Sequence, residues 1–128
     1  MTSPTWTISE LSKEFDLTPR TIRFYEDHGI LSPARVGRQR VYASRDRTRL
    51  KLALRGKRLG LQLSEICKLI DMYEGPHDTA PQLTHYLTVL RAQRSSLEQQ
   101  RRDLEEILAE IVQQQALCEG LLKDKING

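Results

Sequence analysis

Residues 83–122 read LTHYLTVLRAQRSSLEQQRRDLEEILAEIVQQQALCEGLL, and one spacing rule runs through all of it. Positions 83, 87, 90, 94, 97, 101, 104, 108, 111, 115, 118 and 122 alternate steps of four and three. Nine of these twelve are apolar: Leu83, Leu87, Leu90, Leu97, Leu104, Leu108, Ile111, Cys118 and Leu122. A sustained 3.5-residue repeat puts them on one narrow stripe of a helix, which a second helix must cover. At 1.5 Å per residue the stripe is about 60 Å long, more than the N-terminal part of the same chain can bury. The expected cover is a second copy, with Leu83, Leu87, Leu90, Leu97, Leu104, Leu108, Ile111 and Cys118 as dimerisation residues. Arg94, Arg101 and Gln115 interrupt the stripe at a cost in stability and set register.

The remainder of the 128 residues suffices for one compact domain, and 38% apolar with 29% charged residues is ordinary for a soluble chain. The expected division is one compact domain over residues 1–76, a linker over 77–80, the coiled-coil helix over 81–122 and a short tail over 123–128. No apolar run is long enough for a membrane span and the first residues lack a signal-peptide pattern, so a cytoplasmic location without membrane contact is expected. Cys67 and Cys118 fall in helical patterns without local thiol partners, which predicts reduced thiols rather than a disulfide or a metal site.

The formal charge of +3 is unevenly spread. Residues 1–76 hold 14 Lys and Arg against 9 Asp and Glu, a net of +5, whereas residues 77–128 hold 6 against 8, a net of −2. Between Arg35 and Arg58 there are ten basic residues and one acid, Asp46. A field of that strength selects polyanions, with nucleic acid foremost and an anionic small molecule second.

Thr7-Ile8-Ser9-Glu10 has the capping-box pattern and starts a short helix to about Phe15, with Ile8, Leu11 and Phe15 on one face. Thr18 caps a second helix, Pro19 suits its first position, and Gly29 supplies the left-handed residue that ends it. Two short helices joined by Asp16-Leu17 predict a helix-turn-helix, whose second helix enters a groove. On that helix Ile22 and Phe24 or Tyr25 anchor to the core, with Ile30 and Leu31 beyond, while Arg20, Thr21 and Arg23 lie near its start. Arginine there can bind guanine bidentately. Ser32 to Tyr42 is too rich in Pro, Gly and β-formers for a helix and predicts a hairpin turning near Gly37. Such a wing carries Arg38, Arg40 and Tyr42 beside a phosphate backbone. Ser44 with Asp46 predicts the start of a third helix to about Leu59, with Leu50, Leu54 and Leu59 inward. Ser64 predicts a fourth, with Ile66, Leu69, Ile70 and Tyr73 on its apolar face.

Taken together, Thr18-Pro19-Arg20-Thr21-Ile22-Arg23-Phe24-Tyr25-Glu26, Gly29-Ile30-Leu31 with Pro33, Arg40-Val41-Tyr42 and Arg58-Leu59-Gly60-Leu61-Gln62-Leu63-Ser64-Glu65-Ile66 resemble the MerR family of transcriptional regulators. The resemblance covers residues 7 to about 122. It implies a mainly α fold: a winged helix-turn-helix, a second helix pair and a long helix forming an antiparallel coiled coil in a homodimer. It also implies DNA contacts from Arg20, Arg23, Tyr25, Arg40 and Tyr42, with Arg35 and Arg38 as further wing contacts. Family members act on RNA polymerase at a pseudopalindromic promoter with an over-long spacer, and a small effector changes how the dimer distorts it.

The run from Arg40 to Gly60 is similar to the subgroup that controls leucine, isovalerate and acyl-CoA catabolism, which implies an acyl-CoA or branched-chain catabolite as effector. Metal-sensing relatives carry a Cys or Ser before the dimer helix and paired thiols after it; here His77-Asp78-Thr79-Ala80-Pro81 precedes it and only Cys118 follows. One thiolate does not make a soft-metal site, and His28, His77 and His85 have no ligand spacing, so neither metal nor bound cofactor is expected. A metal- or redox-responsive member is the alternative within the family. A basic coiled-coil adaptor for RNA or protein is the alternative outside it, and lacks an aromatic stacking platform. No paired carboxylates, nucleophile–base set or phosphate loop points to an enzyme.

Overall fold

The computed structural model describes residues 3–74 and 80–128. The expected 77–80 linker, His77 and the Gly75-Pro76 stop therefore lie, except for Ala80, outside the described residues. The elements are β1 (Thr5–Trp6), α1 (Ile8–Phe15), α2 (Pro19–Asp27), β2 (Ala34–Val36), β3 (Gln39–Ala43), α3 (Ser44–Arg58), α4 (Leu63–Glu74) and α5 (Ala80–Asn127). The chain divides into two compact units, residues 1–86 and 87–128. The division falls inside α5, whose first turns belong with the N-terminal unit, not at the boundary expected before residue 81.

Local chemistry accounts for the first two helices. Thr7 Oγ1 accepts from the Glu10 amide and Glu10 Oε1 accepts from the Thr7 amide, both at 3.1 Å, completing the capping box. Asp16 then takes the left-handed conformation at φ 53°, one of the few non-glycine types that tolerates it. Thr18 Oγ1 accepts from the Thr21 amide at 3.2 Å and Pro19 occupies the first turn of α2. His28 is the C-cap of α2, and Gly29 follows at φ 77°.

The wing is a three-stranded antiparallel sheet in the order β1-β3-β2, one strand more than expected. Trp6 pairs with Tyr42, and Ala34, Arg35 and Val36 pair with Val41, Arg40 and Gln39. The hairpin loop is Gly37-Arg38, with Gly37 at φ 63°. β1 gives the wing a second anchor, which a two-stranded ribbon would lack.

The core of the first unit gathers Leu11, Ile22, Tyr25, Ile30, Leu31, Tyr42, Leu50, Leu52, Ala53, Ile66 and Ile70. Neither expected serine cap holds. α3 is preceded by Ala43, and Asp46, not Ser44, serves its start: the buried carboxylate accepts from the Ala43 amide at 3.0 Å and the Ser32 amide at 2.9 Å. Ser64 lies within the first turn of α4, where Gln62 already supplies the accepting carbonyl. On the inward face of α3, Leu50 is buried and Leu54 packs against the core as expected, Leu52, Ala53 and Gly56 are buried beside them, and Leu59 is exposed. Gly56 draws the face round, because α4 approaches so closely that a Cβ there would stand 2.7 Å from Ile66 Cγ1. Tyr73, expected inward on α4, is likewise exposed.

The second unit is the remainder of α5, a helix with no buried residue in the single chain. Its observed length, Ala80–Asn127, exceeds the expected 81–122 and takes in most of the expected tail. Among the described residues no helix is long and apolar enough to cross a membrane.

Candidate nucleic-acid interface

α2 separates its residues by face. Ile22 and Tyr25 are buried, and the buried Ile30 and Leu31 just beyond hold its end, their backbone amides donating hydrogen bonds to the Tyr25 carbonyl. Arg20, Arg23 and Asp27 are exposed on the other side. Thr21 is half-buried, its hydroxyl 3.0 Å from that of Thr18. Phe24 is also exposed; its ring meets Tyr25 edge-on at 5.5 Å and lies 4.2 Å from the His28 ring, whose Nδ1 is 2.9 Å from the Phe24 carbonyl. The helix thus presents two exposed guanidinium groups about one turn apart, neither ion-paired among the described residues, on a helix anchored from behind by Ile22 and Tyr25.

The wing divides its cations. Arg35 and Arg38 are exposed, the latter at the loop. Arg40, opposite Arg35 in the register, is instead turned to α2: its Nε donates to Glu26 Oε2 at 2.9 Å. Like charges directly opposite are destabilising, and Glu26 relieves that repulsion. Tyr42 OH donates to the same oxygen at 3.4 Å.

The contacts expected from Tyr25 and Tyr42 therefore do not fit this arrangement. Tyr25 is 3% exposed and Tyr42 fully buried, so neither offers surface to a phosphate. Burial and then the Glu26 charge push the Tyr42 phenol up to about 12, and burial raises Tyr25, so both are neutral core groups. Arg20, Arg23, Arg35 and Arg38 are exposed and Thr21 is half-buried, while Arg40 ties wing to helix. Lys57, in the last turn of α3, lines with Arg20, Thr21 and Phe24 a groove of about 450 Å³. Its place inside the basic run was visible in the sequence, but not its approach to α2.

The residues of the expected stripe all lie on α5. Leu83, Leu87, Leu97, Leu104, Leu108, Ile111 and Leu122 are exposed in the single chain, as is Cys118, and Leu90 is half-buried. Ile107, Val112, Leu121 and Ile126 add apolar surface on its flanks. Cys67 is half-buried, and among the described residues no group of three or more His, Cys, Asp and Glu is placed to hold a metal ion. His85 Nε2 lies 3.1 Å from Glu65 Oε2, whose other carboxylate oxygen is 3.9 Å from Lys68 Nζ.

Residues 6–73 match the family described as MerR HTH family regulatory protein, and residues 47–114 match that described as MerR, DNA binding. The chain belongs to the MerR family. Its MerR relatives include the HTH-type transcriptional regulator HmrR of Rhizobium leguminosarum bv. viciae, 38% identical over 68 residues, or 52% of this chain and 53% of that one. The chain thus spans about half the length of that curated relative. Among solved structures, a MerR family transcriptional regulator from Bacillus cereus aligns with a TM-score of 0.65 at 25% identity, covering 83% of this chain and 76% of the other. The transcription regulator PbrR691 from Ralstonia metallidurans CH34, solved in complex with lead(II), gives 0.63 at 27% identity over 82% and 83%. These MerR relatives are regulators, not enzymes, in keeping with the absence of catalytic motifs from the sequence.

Proposed function

We propose that this MerR protein is a homodimeric, sequence-specific DNA-binding regulator that distorts a pseudopalindromic promoter for RNA polymerase in response to a small effector. The observation that carries this reading is the two-faced α2, with Ile22 and Tyr25 sealed in the core and Arg20 and Arg23 exposed on a helix whose length suits a major groove. Arg20, Thr21 and Arg23 read base edges. Arg35 and Arg38 of the wing, with Lys57, meet phosphates and fix orientation. The α5 stripe joins two copies and sets the distance between their α2 helices, a functional quantity because successive half-sites face the protein about 34 Å apart.

For the effector, the likeness of residues 40–60 to the acyl-CoA and branched-chain catabolism subgroup supports an acyl-CoA or related acid. The lead(II) complex of PbrR691 supports a metal ion instead. Selection of duplexes from a randomised pool by the full chain tests DNA reading: an enriched, dyad-symmetric sequence is expected, and a pool left random rejects it. Thermal shift with a panel of acyl-CoA thioesters and divalent metals separates the two effector classes.

A further inference from the structure

Arg49 stands where three elements meet. Its Nε donates to the Ile30 carbonyl and Nη2 to the Gly29 carbonyl at 3.3 Å, while Nη1 donates to Glu74 Oε2 at 2.6 Å. Only 11% of its side chain is exposed. Gly29 and Ile30 directly follow the C-cap of α2, so the guanidinium pins the two residues by which the chain leaves that helix, at the end where its dipole favours a cation.

Glu74 is the last residue of α4 and is itself held from two sides. Arg45 grips it with Nε and Nη2, at 3.2 and 2.9 Å, and Arg49 takes the Oε2 oxygen. The Arg45 hydrogen bond, with Arg49 adding to it, keeps the Glu74 carboxyl below the usual carboxylate range, so it stays charged at neutral pH. A planar guanidinium reaches two carbonyls and a carboxylate at fixed angles; an ammonium in its place would satisfy fewer of them.

We propose that Arg49 is a positioning residue for DNA reading: it locks the C-terminal end of α2 to α3 and α4, and Glu74 locks Arg49. The angle at which Arg20 and Arg23 enter a groove then depends on a carboxylate at the C-terminal end of α4. The proposal rests on α2 being the base-reading helix. A different pair, Arg47 Nε to Glu14 Oε2 at 2.7 Å, ties α3 to α1 without touching the end of α2 and separates positioning from stability.

The test uses the full chain, a duplex enriched by the wild-type protein from a randomised pool, and a scrambled duplex of the same composition. The ratio of the two dissociation constants and the Tm are measured for Arg23→Ala, Arg49→Lys, Glu74→Gln and Glu14→Gln. Loss of a well-placed base contact costs roughly fivefold or more in such a ratio, which is the drop expected for Arg23→Ala and Arg49→Lys. Glu74→Gln should lower the ratio in the same direction, with scrambled-duplex affinity nearly unchanged, while Glu14→Gln lowers the Tm alone. The proposal falls if the ratio holds in Glu74→Gln and in a folded Arg49→Lys, or if both duplexes weaken in proportion. Should Arg23→Ala also leave the ratio unchanged, the base-reading role of α2 falls with it.

Discussion

Arg40 Nε lies 2.9 Å from Glu26 Oε2, which ties the middle of the wing to α2. The two side chains are 25% and 20% exposed, so the pair is partly screened from water and each partner depends on the other. Arg40 thereby shapes the surface on which Arg20, Arg23, Arg35 and Arg38 are displayed.

Arg40→Ala should therefore act on stability as well as on DNA binding. Removing it leaves Glu26 half-buried with only the long Tyr42 contact, at a cost of about 1–3 kcal/mol. Urea denaturation should report that loss, and affinity for all duplexes should fall together because the wing loses its orientation. Glu26→Gln, which contributes no cation to DNA, should reproduce the stability loss and part of the binding loss. A variant Arg40→Ala with wild-type stability and a reduced salt slope would instead make Arg40 a plain phosphate contact.

The sequence revealed what is decided within a few residues. Thr7 with Glu10, Thr18 with Pro19, and Gly29 and Gly37 act through bonds or dihedrals three or four positions away, and the elements they bound appear as expected. The α5 stripe is equally local. What escaped depends on partners distant in sequence. β1 is two residues long and exists because Thr5 and Trp6 find Ala43 and Tyr42. Tyr42 and Arg40 had the composition of a DNA-binding strand, but Glu26, 16 and 14 positions away, draws both towards α2. Asp46 resembled a local cap partner and in fact also holds the Ser32 amide, 14 residues back.

Gly56 is a second such case and gives a direct measurement. An added Cβ would lie 2.7 Å from Ile66 Cγ1, well inside van der Waals contact. Gly56→Ala gains helix propensity but must separate α3 from α4 or strain Ile66, and overpacking of this kind costs about 1–3 kcal/mol. The denaturant midpoint should drop with little change in slope. Gly56→Ala combined with Ile66→Ala should be less destabilising than the sum of the two single changes, since the truncation vacates the contested space. Strict additivity would mean that the close approach is relieved elsewhere.

Tyr42 predicts an alkaline limb of stability. Its phenol titrates at about 12 in the folded protein, against an ordinary value of 10.0. The folded state therefore holds the proton more tightly than the unfolded chain. The resulting stabilisation is complete below pH 10 and is lost as pH rises towards 12. Tm measured across that window should fall, and Tyr42→Phe should flatten the fall. Some slope should remain, because burial raises Tyr25 in the same direction. Removing a 3.4 Å hydrogen bond costs about 0.5–1.5 kcal/mol at most at neutral pH, so the variant should stay folded. A slope unchanged by Tyr42→Phe would assign the alkaline limb to other groups.

The stripe on α5 gives the sharpest test of assembly. Leu97 is 49% exposed in the single chain and lies midway along the seam, whereas Leu117 is 56% exposed and falls off the four-three spacing. Single-chain exposure alone does not distinguish them; the repeat does. Burying Leu97 against a partner contributes about 1.5–3 kcal/mol per copy, and a dimer changes both copies at once. Leu97→Glu also asks two carboxylates to enter an apolar seam, so dimer affinity should weaken by at least ~100-fold, about 2.7 kcal/mol. Sedimentation at micromolar concentration should show monomers for Leu97→Glu and an intact dimer for Leu117→Glu. Far-UV circular dichroism of the Leu97→Glu monomer should lose part of its helix signal, because a long helix with an uncovered stripe has little tertiary packing to sustain it. A dimer that survives Leu97→Glu and dissociates with Leu117→Glu would move the interface to the opposite flank of α5, and with it the spacing between the two recognition helices.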